Sequence, residues 1–553
     1  MGQYPDGLRG AFIVHDPASP FQFDEELTIT LSDWYHQQMP DLLNQYESQQ
    51  NAAASGGNEP LPDSGLINDS SSAKIKIQPN KTYLVHIICI SNWPGHAWAF
   101  DQHEMTVVEV DGVYVDPYPV GDKFLRVAPG QRMGVLIHTK NDVNQNFAIF
   151  DTMDVNMMFV NENRPIPANF NPNVTAWLVY DESKDLPGPP TFQDFDFLDD
   201  VIFVPVDKEP LLQPVQHQII LDTYSAKING VMRFTINNQT YVPQDVPSLY
   251  TANTVGPEFA SNPAVYGQVN PFIVKGGEVV EIVINNHHNN LHPWHLHGHQ
   301  FQVLQRSAVG GGPFTGNYYQ NISQTPVRRD TIMVQNHGHA VLRFRADNPG
   351  VWLLHCHIEW HVESGLVATI IEAPETFPQS VHAPPSSHYQ ACATYPNPSS
   401  GNAAGKKGLD LTGAKTKVDI GDHGAMYSKA SKVFNQALYI SSTASPLAPA
   451  IPRFSTLIAP VSHSQLHSSV ATGSQPTAPS PHSDQSHTPK PGANRPVPPD
   501  PAQVAPSKEP TTQVLPNQQS EPQAATAYAP PQYEEIVPPH IDKPISVHSD
   551  TSK

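Results

Sequence analysis

Histidine and cysteine form two clusters in this sequence that could bind a transition metal. Of the 27 histidines, six fall between positions 287 and 299, in the stretch His-His-Asn-Asn-Leu-His-Pro-Trp-His-Leu-His-Gly-His. A second group, His-Cys-His-Ile-Glu-Trp-His, occupies positions 355–361. Imidazole and thiolate groups bind first-row transition metals, so this density of both side chains predicts a metal site.

The alternation of side chains along a β-strand divides these residues into two sets. If the second group lies on a strand, His355 and His357 share one face and Cys356 points to the other. By the same rule His295 and His297 share a face. The sequence therefore predicts an imidazole set, which is His295, His297, His355 and His357, and a thiolate set, which is His292, Cys356 and His361.

The composition of the thiolate set favours copper. One cysteine with two histidines is the ligand set of a blue-copper electron-transfer site. Structural zinc prefers four closed ligands at spacings such as Cys-x2–4-Cys and His-x3–5-His, and neither cluster has that form. Copper is therefore the predicted metal, with zinc and unligated surface histidines as the alternatives.

Short strands are the elements that must position these clusters. Before residue 376, runs of β-branched and aromatic residues recur between Gly, Pro, Asn and Asp, a pattern typical of β-sandwiches. The clearest predicted strands are Glu26–Leu31, Thr82–Ile90, Thr106–Val110, Arg132–Thr139, Val279–Ile284, Ala340–Phe344 and Leu366–Ile371. A further strand is predicted at Ala11–His15, and short helical turns are predicted within 32–46 and 151–158.

Composition limits the classes of function. The 553 residues carry a net charge of −21, which argues against nucleic acid as a partner. Three cysteines are too few for a disulfide framework, and we find neither a signal peptide nor an apolar run long enough to span a membrane. The last 112 residues hold 22 of the 57 prolines, and this Ser/Thr/Pro-rich tail is predicted to be disordered.

The two clusters closely resemble the C-terminal copper signatures of multicopper oxidases. Residues 3–10, 102–112, 328–331 and 345–352 also resemble the fungal iron-transport ferroxidase branch of that family. The resemblance covers roughly residues 1–375 and implies an all-β fold of cupredoxin-like Greek-key β-sandwich domains. It predicts a remnant of a first domain at 1–17, a second domain at 22–184, a linker at 185–211, a third domain with the copper motifs at 212–375, an extension at 376–441 and a disordered tail at 442–553.

The resemblance also implies roles for individual residues. His292, Cys356 and His361 match the type 1 copper ligands, with the non-coordinating Leu366 at the axial position. His295 matches a type 2 copper ligand, and His297, His355 and His357 match type 3 ligands. The implied reaction is one-electron oxidation of iron(II), with dioxygen reduced to water, at the cell surface and with an iron permease as partner.

Two carboxylates are predicted to assist this reaction. Asp101 falls where the resemblance implies a carboxylate that holds iron(II). Glu359 has the strand parity of His355 and His357, so we expect it on the face of the imidazole set if the strand continues. The resemblance implies a carboxylate at that place for proton supply, a task that suits a positioned acid, and an ordinary surface glutamate is the alternative.

The chain departs from the family pattern in several places. The resemblance implies two further His-x-His pairs upstream, so we expect a truncated chain that completes only the type 1 site. The alternative is a non-catalytic copper-binding relic. His288 stands where a second iron-binding carboxylate is expected, which leaves a laccase-like phenol oxidase open. The membrane span that often follows the oxidase in this family is not found.

Two further features fit a secreted protein. Five sequons make glycosylation candidates of Asn68, Asn80, Asn173, Asn238 and Asn321. Cys89 and Cys392 could pair with each other, or either could have lost a partner with the missing domain.

Overall fold

The computed structural model describes residues 2–141, 144–158, 167–188, 195–318, 322–376, 384, 386–394 and 397–417. The predicted tail at 442–553 and the sequon at Asn321 lie outside the described residues. Within them, the chain forms two β-sandwiches one after the other, which confirms the all-β fold class.

The first sandwich pairs a six-stranded sheet of order β2-β1-β4-β9-β6-β7 with a five-stranded sheet of order β3-β11-β10-β5-β8. Its strands are β1 (Glu25–Trp34), β2 (Ser64–Ile67), β3 (Ser72–Lys76), β4 (Thr82–Cys89), β5 (His96–Phe100), β6 (Met105–Val110), β7 (Val113–Pro119), β8 (Leu125–Val127), β9 (Arg132–His138), β10 (Phe147–Met153) and β11 (Asn173–Val179). Three short helices accompany them, α1 (Met39–Tyr46), α2 (Gln49–Ala54) and α3 (Val155–Met158).

The second sandwich repeats this arrangement, with sheets of order β13-β12-β15-β20-β17-β18 and β14-β22-β21-β16-β19. Its strands are β12 (His217–Ile228), β13 (Val231–Ile236), β14 (Pro271–Val274), β15 (Val279–Asn286), β16 (His292–Leu296), β17 (Phe301–Arg306), β18 (Arg328–Arg329), β19 (Thr331–Val334), β20 (Gly338–Arg345), β21 (Gly350–Cys356) and β22 (Val367–Glu372). The helices are α4 (Ser248–Thr254), α5 (Pro257–Ala260), α6 (Glu359–Glu363) and α7 (Ser386–Thr394), with 3-10 turns at Pro263–Tyr266 and Pro374–Thr376.

Strand β15 explains why the second sandwich is well packed. Its sequence, Val-Val-Glu-Ile-Val-Ile-Asn-Asn, is rich in β-branched residues, which fit the pleated surface of a sheet. It is buried along its whole length, parallel to β12 on one side and antiparallel to β20 on the other. Apolar residues of both sheets belong to one core, which also contains the two tryptophans and the cysteine of the copper motifs.

The structure corrects one local sequence prediction and confirms two others. No strand forms at Ala11–His15, where the side chains of Phe12 and Val14 are exposed. The helical turns predicted within 32–46 and 151–158 are present as α1 and α3, which follow the ends of β1 at Trp34 and of β10 at Met153. None of the described helices is both long enough and apolar enough to cross a membrane.

Candidate metal centre

Strands β16 and β21 place the candidate ligands on two faces of one sheet. The strands are antiparallel, and His295 lies opposite His355 while Trp294 lies opposite Cys356. Directly opposed residues project from the same face, and successive residues alternate between faces. His292, two residues before Trp294, therefore shares a face with Cys356, and the other face carries His295 and His355. This is the division that the sequence predicts.

The thiolate set converges to a single point in the core. The Sγ atom of Cys356 is 3.4 Å from Nδ1 of His292 and 3.4 Å from Nδ1 of His361, and the two Nδ1 atoms are 3.0 Å apart. All three residues are fully buried. His361 reaches the site because the chain turns after β21 and enters α6, which contains it.

This donor set fits copper. Metal–nitrogen and metal–sulfur bonds of about 2.0–2.3 Å place three trigonal ligands about 3.5–4 Å apart, so an outward adjustment of a few tenths of an ångström would admit an ion. Among the described residues these three are the ones whose donor atoms meet in this way. Leu366, at the axial position, is buried and offers no donor atom from its side chain. Structural zinc would require a fourth ligand.

The second nitrogen of each imidazole has its own partner. Nε2 of His361 lies 3.2 Å from Oε1 of Glu59, and Nε2 of His292 lies 3.0 Å from Nδ1 of His288. A carboxylate can only accept, so His361 donates from Nε2 and directs the lone pair of Nδ1 towards Cys356. The hydrogen bonds of these outer partners therefore orient the rings for a metal.

Burial controls the protonation of the thiolate set. It lowers the pKa of His292 well below its ordinary value, with the neighbouring His361 adding to the effect, and it lowers the pKa of His288 to about 3. The same burial raises the pKa of the Cys356 thiol, and Glu59 adds to that rise. The imidazole of His292 is thus a neutral donor at neutral pH, whereas a metal must displace the proton of the Cys356 thiol to bind.

The imidazole set also comes together. Nε2 of His297 is 3.0 Å from Nε2 of His355, and the ring centroids of His295 and His357 are 5.7 Å apart. Burial, followed by the neighbouring rings, lowers the pKa of His297 and of His357 to about 4. Four imidazoles in one cluster are suited to borderline transition metals.

Glu359 does not follow the strand parity on which its prediction depends. Strand β21 ends at Cys356, and Glu359 begins α6 instead of continuing the strand. Its carboxylate accepts a hydrogen bond from the backbone N–H of Gly2 at 2.6 Å, and its own N–H donates to the carbonyl of Asn92. Burial, followed by Glu363, raises the pKa of Glu359 to about 7. Its role as a proton donor stays a prediction.

The contacts of Asp101 in the structure are local and do not include the thiolate set. Asp101 directly follows the last residue of β5, and the first residue of that strand, His96, contacts the hydroxyl of Ser91. Its carboxylate accepts from Gln102 and its backbone bonds to His103 and Ala148. Its role in holding iron(II) stays a prediction.

Glu59 is the carboxylate beside the centre, and sequence reasoning missed it. It lies in the loop between α2 and β2, within Gly-Gly-Asn-Glu-Pro, and 302 positions separate it from His361. No spacing or periodicity links a loop residue to a ligand so far along the chain. Glu59 lines a cavity of about 320 Å³ together with His288, Met158 and Met232.

The remaining predicted residues are the glycosylation candidates and two cysteines. Asn68, Asn80, Asn173 and Asn238 are all exposed, and their glycosylation stays a prediction. Cys89 is a buried free thiol whose pKa burial raises to about 12. The side chain of Cys392 lies outside the described part of the chain, so its pairing stays open.

Comparisons with known proteins agree with this geometry. Family models described as multicopper oxidase match residues 25–183 and 241–376. The iron transport multicopper oxidase fetC of Epichloe festucae is 42% identical over 427 residues, which cover 76% of this chain and 67% of that protein. The iron transport multicopper oxidase FET3 of Saccharomyces cerevisiae is 38% identical over 423 residues, which cover 74% of this chain and 64% of that protein. The chain thus spans about two thirds of the length of these relatives.

Solved structures give the same result for the fold. The crystal structure of Fet3p, described as a multicopper oxidase that functions in iron import, has a TM-score of 0.70 at 35% sequence identity, covering 75% of this chain and 78% of that one. The laccase from Botrytis aclada has a TM-score of 0.57 at 24% identity, covering 71% and 72%, and supports the fold alone.

Two cupredoxin-like sandwiches with a buried Cys-His-His centre define a copper protein. The matched family models and relatives identify the class more closely. The chain belongs to the multicopper oxidase family.

Proposed function

We propose that this protein oxidises iron(II) one electron at a time at the thiolate set and passes the electrons to dioxygen, which becomes water, as part of iron uptake. The proposal is supported by relatives that are named iron transport multicopper oxidases and by the thiolate set itself. Copper held by this set supplies a one-electron acceptor. The protein's own residues must then bind the iron, orient the ligands and supply protons.

The position of Glu59 carries the proposal for iron. Its carboxylate lies 3.2 Å from Nε2 of His361 and lines the cavity beside the thiolate set. Carboxylate oxygens are preferred ligands of harder divalent cations. An iron(II) ion held by Glu59 would be separated from a copper ligand by one hydrogen bond, and the net charge of −21 would attract cations to the protein.

The connection between the two sets is the covalent chain itself. His355 and His357 are the bonded neighbours of Cys356. Covalent bonds between consecutive residues therefore link the thiolate set to the imidazole set. We assign one type 1 copper to the thiolate set, a type 2 role to His295 and type 3 roles to His297, His355 and His357, in a complete enzyme with four coppers. Glu359, with a pKa near 7, suits a group that releases and regains protons at neutral pH.

The test of iron specificity compares two reductants on the copper-loaded chain. Iron(II) and a phenol are added separately without oxygen, and the bleaching of the thiolate–copper absorption is followed by stopped flow. In Glu59→Gln we expect the rate with iron(II) to fall at least about tenfold, because a charge-assisted ligand is lost. The rate with the phenol should change little. Equal rates with iron(II) in the native chain and the variant would contradict the role of Glu59.

A laccase-like phenol oxidase is the second candidate, and His288 favours it. This imidazole, instead of a second carboxylate, contacts Nε2 of His292 at 3.0 Å, and the cavity beside it includes Met158, Met232 and Phe234. These methionine and phenylalanine side chains offer no ligand to a hard cation but can pack against an aromatic ring, beside Glu59 in the same cavity. Bleaching by the phenol much faster than by iron(II) in the native chain would select this function.

The number of coppers, the location and the partner belong to the same proposal. We expect the oxidase to act at the cell surface and to deliver iron to a permease, which co-purification from cross-linked membranes can test. Metal analysis of the full chain decides between an oxidase and a non-catalytic copper-binding protein. About one copper per chain with no oxygen uptake would favour the non-catalytic protein, whereas copper-dependent oxygen uptake would exclude it.

A further inference from the structure

An ion pair joins the two sandwiches next to the imidazole set. Arg132, the first residue of β9, donates from its two terminal nitrogens to Oδ1 of Asp330 at 2.6 Å and to Oδ2 at 2.7 Å. Asp330 lies between β18 and β19 of the second sandwich. A bidentate pair of guanidinium and carboxylate fixes the orientation of both groups. Arg132 of the first sandwich therefore fixes the short segment between β18 and β19 of the second sandwich.

Asp330 and Thr331 place three oxygen atoms near one ring nitrogen of His295. Nδ1 of His295 is 2.9 Å from the carbonyl oxygen of Asp330 and 3.0 Å from Oγ1 of Thr331, while the Asp330 carboxylate is 3.4 Å away. The Thr331 hydroxyl donates to Oδ1 of Asp330 at 2.8 Å, and the carbonyl of Gly130 is a second, more distant acceptor at 3.3 Å. Because both of these partners accept the hydroxyl proton, the hydroxyl presents a lone pair to His295.

These acceptors select one tautomer of His295. A nitrogen that faces only a carbonyl, a hydroxyl lone pair and a carboxylate must carry the proton. Nδ1–H is therefore the donor, and Nε2 keeps the lone pair that a metal requires. The selection depends on Asp330, since its carboxylate both accepts the Thr331 proton and is held in place by Arg132.

The segment before Arg132 also contacts the imidazole set. A Cβ atom at Gly130 would lie 2.5 Å from Cδ2 of His357, and the backbone there has a φ of +82°, so a larger residue would be both crowded and strained. The carbonyl of Gly130 accepts from Arg132 at 2.9 Å. One loop of the first sandwich thus supports two histidines of the second.

We propose that Arg132 is a positioning residue for the imidazole set. From the first sandwich it holds Asp330 and Thr331 so that His295 keeps its proton on Nδ1 and presents Nε2 to the metal. The orientation of this ligand is therefore controlled from the neighbouring domain, and it does not depend on which substrate the protein oxidises.

The proton position in the metal-free protein gives a direct test. In the full chain labelled with 15N-histidine, long-range nitrogen–proton NMR distinguishes the two tautomers, and His295→Gln assigns the signal. We expect the Nδ1–H form in the native chain and a mixture of both forms in Arg132→Gln. Arg132→Lys keeps the charge but loses the bidentate geometry, so it should give an intermediate result.

Arg306→Gln is the matched control. Arg306 also forms ion pairs with the segment that joins the sandwiches, at Asp199 and Asp200, but it does not contact Asp330. A purely structural role of Arg132 would make the two glutamine variants behave alike. We expect the His295 tautomer to be unchanged in Arg306→Gln. The native tautomer in Arg132→Gln, or the same change in both variants, would overturn the proposal.

Copper affinity provides a second readout. Loss of an outer partner of a ligand typically weakens metal binding about 10–100-fold. With Cys356→Ser as background, Cu(II) alone is titrated into each chain by calorimetry. We expect binding at least about tenfold weaker with Arg132→Gln and within about twofold of the background with Arg306→Gln. Equal affinities for both variants would contradict the proposal, whether or not the protein oxidises iron.

Discussion

The two sandwiches place different chemistry at the same position of the same fold. Strands β5 and β16 occupy equivalent places in their five-stranded sheets, as do β10 and β21. His96 begins β5 and His292 begins β16. Asp151 lies opposite the tryptophan two residues after His96, and Cys356 lies opposite the tryptophan two residues after His292. Asp151 is therefore the counterpart of the candidate copper ligand Cys356.

The hydrogen bonds at the two positions explain why only one suits a metal. His96 uses Nδ1 for Asp151 at 2.7 Å and Nε2 for the hydroxyl of Ser91 at 3.0 Å, so the protein occupies both ring nitrogens. After β10, helix α3 supplies Met157, whose sulfur accepts the backbone N–H of Gly95. After β21, helix α6 supplies His361 instead. The fold offers the position twice, and a few side chains decide its chemistry.

Replacing Cys356 should have the largest effect among the changes that test the difference between the two sandwiches. We expect Cys356→Ser to abolish the strong visible absorption of the copper-loaded chain, because that absorption requires a thiolate–copper bond. Cys89→Ser, at the other buried thiol, should retain it. Absorption spectra of the native chain and the two variants measure this. A band that persists in Cys356→Ser would contradict the assignment of the thiolate set as the copper site.

Introducing a cysteine at the equivalent position of the first sandwich tests whether a thiol is all that this sandwich lacks for binding copper. Asp151→Cys should produce no second band, because Met157 rather than a second imidazole follows β10. A new thiolate–copper band in this variant would show that two ligands suffice at this position.

The sequence predicts the faces of the copper motifs but not their outer partners. Period-two alternation separates Cys356 from His355, and the register of β16 against β21 confirms it. Glu359 fails the same rule because alternation holds only while the strand continues, and β21 stops at Cys356. Alternation can be applied only when the end of the strand is known, and residue types alone do not mark where a strand ends.

Long-range contacts are the part that local reasoning could not reach. Glu59 meets His361 from a loop, and Arg132 meets Asp330 across 198 positions. Neither contact has a spacing or a period, because each depends on how two sandwiches pack.

Removing the carboxylate in the first sandwich should lower stability and leave the copper site intact. Asp151→Ala deprives Nδ1 of buried His96 of its acceptor, which typically costs about 1–3 kcal/mol. Urea unfolding measures this cost, and the thiolate–copper band should be unchanged. The control is Glu182→Ala, which breaks the exposed pair with Lys76 and should cost about 0–1 kcal/mol. Equal costs for the two variants would contradict the asymmetry between the sandwiches.

Two buried aspartates should respond to pH in opposite directions. Burial would raise the pKa of Asp200, but Arg306 and Arg329 outweigh it and lower that pKa well below its ordinary value. The stability that Asp200 contributes is therefore present above about pH 4 and lost as the pH falls towards its folded-state pKa. Burial raises the pKa of Asp151, so its contribution is present below about pH 4 and lost as the pH rises through its folded-state pKa.

Unfolding free energies against pH for Asp200→Asn and Asp151→Asn measure this contrast. The difference from the native chain should shrink on acidification for Asp200→Asn and shrink on alkalinisation for Asp151→Asn. Each slope can reach about 1.4 kcal/mol per pH unit for one group. Parallel curves would mean that the two carboxyl groups have similar environments, against the structure.

The smallest expected effect concerns Leu366, whose side chain offers no metal ligand at the axial position of the thiolate set. Leu366 is buried directly before β22, and its carbonyl accepts the N–H of Cys356 at 3.2 Å, so position 366 is tied to the thiolate set. In Leu366→Met a thioether could approach the metal, and a weak axial ligand stabilises oxidised copper and lowers its potential. We expect a decrease of no more than about 59 mV, which is a tenfold change in equilibrium with a one-electron mediator. Redox titration of the visible band measures it, with Leu221→Met in the buried part of β12 as control. An equal shift in the control, or an increased potential in Leu366→Met, would show that position 366 acts through packing and not as an axial site.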